Sequence, residues 1–338
     1  MSRLPATSAA RRAAKAILAR LPIGRDAATT VARRVLAGAS RDGRRGRPAD
    51  IPAPWPTPPR VDTPMQVVAT RYPAEPPGPV RDIELFEALN REYADRPLVP
   101  DPLKPTYDDD AMTERAEGRL ASVHATVDLR GKRVLEFGCG GGFEVWLMAH
   151  HFGADAWGVD VVERVAWKTL AGERTHLVLA DLAVDQPFPE NHFDRVVSFY
   201  VFEHVAHPHA ALAEIFRVLK PGGLAWIAAN LHRGPMASHR YREINFPFPH
   251  LLFTDDVFRE FYRRRDMPET EAAWVNRLTW AEYEDHFARI GFRVRGTTFR
   301  ETPLDEAFYA RFESVLGRYP RTDLQRDFFR VVLEKPRR

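Results

Sequence analysis

The sequence predicts an α/β fold built on a doubly wound, largely parallel sheet, preceded by a helical and irregular N-terminal extension. Three observations carry that prediction. From Lys132 onward, short β-rich runs alternate with helical stretches, the pattern of successive βαβ units. The first of those runs ends in a glycine-rich turn that opens a helix. Upstream, the stretch from Ser40 to Val80 is dense in proline, glycine and arginine, which forbids helix and central strand there. The 338 residues are 44% apolar and 28% charged, which excludes whole-chain disorder, collagen and short disulfide scaffolds. No apolar run reaches the ~18 residues that a membrane span needs, so a soluble chain is expected. A single cysteine, Cys139, excludes an internal disulfide and a multi-cysteine zinc site and favours the reducing cytoplasm.

Taken in order, residues 8–38 place Ala13, Ile17, Leu18 and Leu21, then Val31, Val35 and Leu36, at helical spacing among arginines. Residues 1–50 hold 12 Lys/Arg against three acids, so the net charge of +3 conceals a mildly acidic body. Basic amphipathic helices lie on anionic membranes, bind acidic partners, or stay solvated beside a body, and the sequence leaves these open. Arginines break the apolar stretches, so a secretory signal core is missing. Residues 1–80 thus form a basic arm and proline-rich linker, and 81–338 the folded domain. That body offers no electrostatic footprint for a nucleic acid.

Helices are expected over about Asp82–Tyr93 and Thr113–Ala125. Strands follow at Arg133–Phe137, Ala156–Val159, His176–Ala180, Arg195–Phe199 and Leu224–Ala228. The segment Ala211–Lys220 carries Leu212, Ile215, Phe216 and Leu219 on one helical face, and Pro221-Gly222-Gly223 is read as its stop. Residues 231–278 form an insertion rich in aromatics, histidine and arginine, with Thr254 as a helix N-cap before Asp255 and Asp256. Thr279 and Glu282 form a capping box, Gly291 ends that helix, and Phe287, Ile290 and Phe292 read as core.

Ligands of doubly wound sheets bind beyond the carboxyl ends of the strands, where the informative residues fall. The run LEFGCGGGFE (Leu135–Glu144) sets Gly138, Gly140 and Gly142 in a turn that a ligand can approach without a Cβ in the way. Glu136 lies at the mouth of this turn. Asp160 closes the second strand, where an acid accepts both hydroxyls of a ribose. Asp181 closes the third, placed to accept from an exocyclic adenine amine. A nicotinamide site is disfavoured, because its third glycine comes one position later and it leaves Glu136 and Asp181 unexplained.

With these pieces, and with FPENHFDRVVSF (Phe188–Phe199), FEHV (Phe202–Val205) and VLKPGGLAWI (Val218–Ile227), the sequence resembles the class I S-adenosylmethionine-dependent methyltransferases, in particular the small-molecule group called type 11. The resemblance runs from about Lys132 to Asn230, and more loosely to the C-terminus. It implies a Rossmann-like seven-stranded mixed sheet whose terminal antiparallel strands are Arg293–Phe299 and Phe328–Glu334. It also implies S-adenosylmethionine as cofactor. Gly138 and Gly140 would then flank the methionine portion and Glu136 would orient its ammonium. Asp160 would hold the ribose, Asp181 with the Leu182 backbone the adenine, and Phe199 would line the cofactor.

The acceptor is expected to be a small molecule or glycan hydroxyl, with a non-catalytic cofactor-binding module recruited through the basic arm as the alternative. His204, just past the fourth strand, is the candidate general base. The family's quinone-precursor O-methyltransferases look similar at this turn and hold a divalent metal with a second carboxylate one helical turn earlier. This chain has Tyr200 there, so the cluster is incomplete and no metal is expected. Tyr200 and, from the lid-like insertion, His232, Arg233, His239, Arg240, Tyr241 and His250 are the acceptor-pocket candidates.

Overall fold

The computed structural model describes residues 78–100, 109–267 and 276–337. The expected basic arm and the proline-rich linker up to 77 lie outside the described residues. Among the described residues, no helix is long and apolar enough to cross a membrane.

Seven strands form one sheet in the order β3-β2-β1-β4-β5-β7-β6. They are β1 Arg133–Phe137, β2 Asp155–Asp160, β3 Thr175–Leu179, β4 Phe193–Phe199, β5 Leu219–Asn230, β6 Arg293–Glu301 and β7 Arg326–Glu334. The first five are parallel, with Arg133 opposite Asp155 and Val134 opposite Arg195, whereas β7 runs antiparallel between β5 and β6. The strand order reverses at β1, whose neighbours are β2 and β4. A crevice therefore opens at its carboxyl end.

Helices α1 (Ile83–Glu92) and α2 (Asp109–His124) precede the sheet, and α3 (Phe143–Phe152) and α4 (Trp167–Leu170) lie within its first half. Later come α5 (Pro208–Val218), α6 (Pro249–Leu252), α7 (Asp255–Arg263) and α8 (Trp280–Ile290), then the short α9 (Glu306–Arg311), α10 (Glu313–Leu316) and α11 (Arg321–Gln325). One face of the sheet packs Val134 and Ala156 under Leu120, Val123, Val145 and Met148 of α2 and α3. The other packs Leu135, Phe137 and Val196 against Leu212 and Ile215 of α5 and Phe287 of α8. Side chains alternate along a strand, so Glu136 shares the α2–α3 face with Val134.

A third core belongs to the insertion. Phe86 of α1 is fully buried and meets Phe246, Phe253 and Phe258 edge-on at 5.1, 4.9 and 5.4 Å. Leu251, Phe261, Phe308 and Phe312 complete it. The aromatics of 231–267 are therefore mostly core of a packed cover, and α1, capped by Asp82 on the Leu85 N–H at 2.9 Å, is part of that cover.

One expectation is corrected. The helix read as ending at Lys220 stops at Val218, and Lys220-Pro221-Gly222-Gly223 lies inside β5. Pro221 disfavours helical geometry at Lys220. A register shift between Phe193 and Arg195 absorbs the extra residues, and the Gly222 N–H donates to the Lys335 carbonyl at 2.7 Å. Thr254 occupies its N-cap position, but its side chain makes no capping bond. The Thr279–Glu282 capping box is present, Gly291 takes the left-handed conformation, and Phe287 and Phe292 are buried with Ile290 packed against their cluster.

Asp327 of β7 is fully buried and pins the insertion to the sheet. Its Oδ1 accepts from the Met236 N–H at 3.0 Å and its Oδ2 from the Thr302 hydroxyl at 2.6 Å. Asp327→Ala strands both donors, each at about 1–3 kcal/mol. Denaturant unfolding is expected to show a loss of about 3 kcal/mol. A loss under about 0.5 kcal/mol, the range of a featureless surface change, would mean that these bonds do not hold the insertion.

Candidate active site

The glycine turn is shaped by contacts on both sides. Gly138, Gly140 and Gly142 have φ of +75°, +50° and +86°, a region that L side chains seldom adopt. A Cβ on Gly138 would stand 2.3 Å from Val201 Cγ2, whereas one on Gly140 would meet nothing within 4 Å. The first glycine is thus required by packing and the second faces open space. Cys139 between them is buried, and burial pushes its thiol well above its ordinary pKa.

Asp160 holds the turn. Its Oδ2 accepts from the Gly140 N–H at 2.8 Å and its Oδ1 from the Val162 N–H at 3.1 Å. A carboxylate has about four acceptor sites, so two remain open to a ligand. Trp167 of α4 donates from Nε1 to the Gly140 carbonyl at 2.8 Å, a brace that no sequence signal announced. At the next strand end Asp181 Oδ1 accepts from the Ala183 N–H, and the Asp181 N–H donates to Asp185 Oδ2, both at 2.9 Å. Leu182 between them is buried, and the Ala180 N–H bonds the Asp160 carbonyl at 3.0 Å, which joins the two acid-bearing ends.

Glu136 is 2% exposed, and its Oε2 has no hydrogen-bond partner. Burial pushes its carboxyl well above the usual range, Glu144 and Asp160 add to the rise, and Arg119 opposes it. The Arg119 guanidinium of α2 pairs with Glu144 of α3 at 2.6 Å and lies 5.4 Å from the ring centroids of both Phe199 and Tyr200. Phe199 is buried in the α2–α3 core, 5.3 Å from Trp226. The sequence reading missed Arg119 and quoted Glu144 without a role. Its only available signal was an acid in the first turn after the glycines.

After β4, Tyr200 takes a left-handed φ of +60° and sets its ring edge-on to Phe328 at 5.3 Å. The turn Phe202–His204 follows. Glu203 is 1% exposed, neither carboxyl oxygen has a partner, and burial raises its pKa to about 8. The insertion grips this turn from outside. Asn276 donates from its backbone N–H to the Glu203 carbonyl and from Nδ2 to the Phe202 carbonyl at 2.6 Å.

His239, also from the insertion, has φ of +55°, and its ring lies 5.0 Å from that of His204, edge-on. Its Nε2 is buried without a hydrogen-bond partner, and burial, then His204 and His250, lower its pKa to about 3. A non-glycine residue in this conformation costs about 1–3 kcal/mol, so the surrounding structure holds it there. Ligand atoms of Glu203, His204 and His239 all lie within 4.8 Å of one another. The phenol at Tyr200 does not replace the family's second carboxylate, but His239 supplies a third donor from a different part of the chain.

The remaining acceptor candidates separate. His250 shares a 2.7 Å hydrogen bond through Nε2 with the His232 carbonyl, and the two rings lie 5.0 Å apart. Arg233 is paired with Asp323 at 2.8 Å and covers Tyr319. Arg240 lies over Phe258 and Tyr262, and Tyr241 is half-buried. A cleft of about 180 Å³ lined by Tyr93, Arg96, Phe248 and Asp305 contains none of the predicted site residues.

Known proteins agree on the same stretch. Residues 135–227 match a family model described as a methyltransferase domain. Ubiquinone biosynthesis O-methyltransferases of Pseudomonas fluorescens (strain SBW25) and Pseudomonas aeruginosa (strain UCBPP-PA14) are each 31% identical over 166 residues, 46% of this chain. The chain spans 65% of the length of these curated relatives. A solved S-adenosylmethionine-dependent methyltransferase from Mesorhizobium loti is 19% identical with a TM-score of 0.44, over 65% of this chain and 97% of its own. The matched residues hold the glycine turn, the acids of three successive strand ends and the Glu203–His204 turn, and over this stretch the chain is similar to methyltransferase domains.

Proposed function

We propose that the chain transfers a methyl group from S-adenosylmethionine to a hydroxyl of a small-molecule or glycan acceptor. The observation that carries this reading is Glu136, a buried carboxyl with an unpartnered oxygen beside a glycine turn that opens to empty space. The relatives named as O-methyltransferases support the choice of oxygen as the methylated atom. The reducing cytoplasm suits the single buried cysteine, and residues 1–50 carry the charge for contact with an anionic membrane surface or an acidic partner.

The cofactor supplies a methyl group already activated on sulfonium sulfur. What the chain contributes is placement, exclusion of water and one proton transfer. Glu136 meets the ammonium of the methionine portion, Asp160 the ribose and Asp181 the adenine. Fixing both reactants in line can remove ~7–11 kcal/mol of barrier. The aromatic-cored insertion keeps water from that line. His204 takes the acceptor's proton, with Asn276 fixing the backbone of its turn and His239 bracing its ring.

Calorimetry tests the binding half of this proposal. Glu136→Gln removes a charge-assisted contact of about 1.5–3 kcal/mol, so affinity for S-adenosylmethionine is expected to fall roughly 10- to 100-fold. Absence of binding by the unaltered chain, to the cofactor or its demethylated product, would overturn the assignment.

A proton balance gives a second check. In the free chain, burial and Glu144 keep the Glu136 carboxyl protonated above the usual range, and an ammonium beside it favours the charged form. Binding is expected to release a proton, so affinity rises with pH, at most about tenfold per unit. Heats that do not vary between buffers of different ionisation enthalpy would remove Glu136 from this role. For the chemical half, His204→Ala should lower turnover of a hydroxyl acceptor by about 10²–10⁴ with cofactor affinity unchanged. Unaltered turnover would exclude it as the base.

A further inference from the structure

We infer that Glu144 is a positioning residue for the cofactor contact: by holding the Arg119 guanidinium it keeps that cation from closing on Glu136, and so leaves Glu136 to the ammonium of the ligand. This rests on the binding half of the function proposed above and extends it to two residues outside the glycine turn. Glu144 stands in the first turn of α3, where the helix dipole favours an acid. It is buried, and it pairs with Arg119 Nη1 at 2.6 Å. Arg119 comes from α2, and the shared core of Leu120, Val123, Val145 and Met148 brings the two helices together. The same guanidinium lies 5.4 Å from the ring centroids of Phe199 and Tyr200, so three side chains hold it in one place.

Glu136 is a second acid that acts on this guanidinium. Burial and then Glu144 push the Glu136 carboxyl up and Arg119 opposes them, yet its Oε2 has no hydrogen-bond partner. A buried carboxylate and a buried guanidinium so near each other would ordinarily pair, because each is costly to leave alone. Glu144 takes the bond instead. Removing one member of a buried pair leaves an uncompensated charge, and Glu136 is then the acid left for Arg119. An incoming ammonium would have to displace an internal cation that carries five donors in a fixed fork. With Glu144 present, it meets a carboxyl that has no bond to surrender.

The test is calorimetry on the full chain with S-adenosylhomocysteine and with 5′-methylthioadenosine. Both carry the adenosine and the thioether, but only the first has the amino-acid head. Glu144→Gln should weaken S-adenosylhomocysteine roughly 10- to 100-fold, the value of a charge-assisted contact, and leave 5′-methylthioadenosine unchanged. Adding Arg119→Met to Glu144→Gln removes the acid and the guanidinium together, and should return S-adenosylhomocysteine to the affinity of the unaltered chain. A merely structural role for the pair would move both ligands alike or neither. Circular dichroism reports whether each variant folds, and if Glu144→Gln does not, Glu144→Asp decides, with a smaller loss confined to S-adenosylhomocysteine. The inference is overturned by undiminished affinity in the folded single variant, or by equal loss of both ligands. It is overturned also by a double variant that stays weak, because the acid or the guanidinium then touches the ligand directly. An unaltered chain that binds neither ligand would sink the binding reading itself, whereas these outcomes presuppose that it binds both.

Discussion

Two carboxyl groups share one guanidinium beneath the glycine turn, and much of the site follows from that imbalance. Glu136 and Glu144 are both nearly inaccessible, and Arg119 bonds Glu144 directly. At an effective dielectric of about 20, unit charges 4 Å apart interact by roughly 4 kcal/mol, so a second buried anion with no cation of its own is strongly disfavoured. Burial and the Glu144 charge raise the Glu136 carboxyl well above the usual range and so favour its neutral form. A ligand bearing an ammonium resolves it better. This imbalance is what supports the contact proposed above between Glu136 and the ammonium of the cofactor.

The sheet and the insertion divide the work. Parallel strands buried on both faces fix the acid-bearing ends of β1, β2 and β3 within one edge, and the switch in strand order leaves the crevice that they line. The insertion has a core of its own, built from Phe86, Phe246, Phe253 and Phe261 rather than from sheet residues. It reaches the site with only a few groups, Asn276 and His239 foremost. In the proposed reading, cofactor contacts thus come from regular structure, and acceptor contacts from a segment whose packing is independent of it.

What the sequence disclosed depended on the range of the interaction. β1 was readable to the residue because an apolar run stops at a glycine turn. The capping box at Thr279 was readable because it is a contact over three residues. The start of β5 was not, since Lys220-Pro221-Gly222-Gly223 obeys local rules for a stop while a bulge in its pairing with β4 takes up the slack. Arg119 escaped notice because its value comes from the packing of α2 on α3, which no periodicity encodes. His239 was noticed for its chemistry and given to the acceptor. Its neighbours Glu203 and His204 follow from how the insertion folds back on the turn after β4, a tertiary fact.

The single thiol of the chain gives the glycine turn a built-in clock. Cys139 lies between Gly138 and Gly140, and its sulfur would be 2.7 Å from a Cβ on Gly158, so only the absence of a side chain on β2 admits it. In the closed turn it is both shielded and un-ionised. A thiol-specific label therefore reaches this protein only when the turn lifts from β2, and labelling kinetics count those excursions without a second cysteine to confuse the signal.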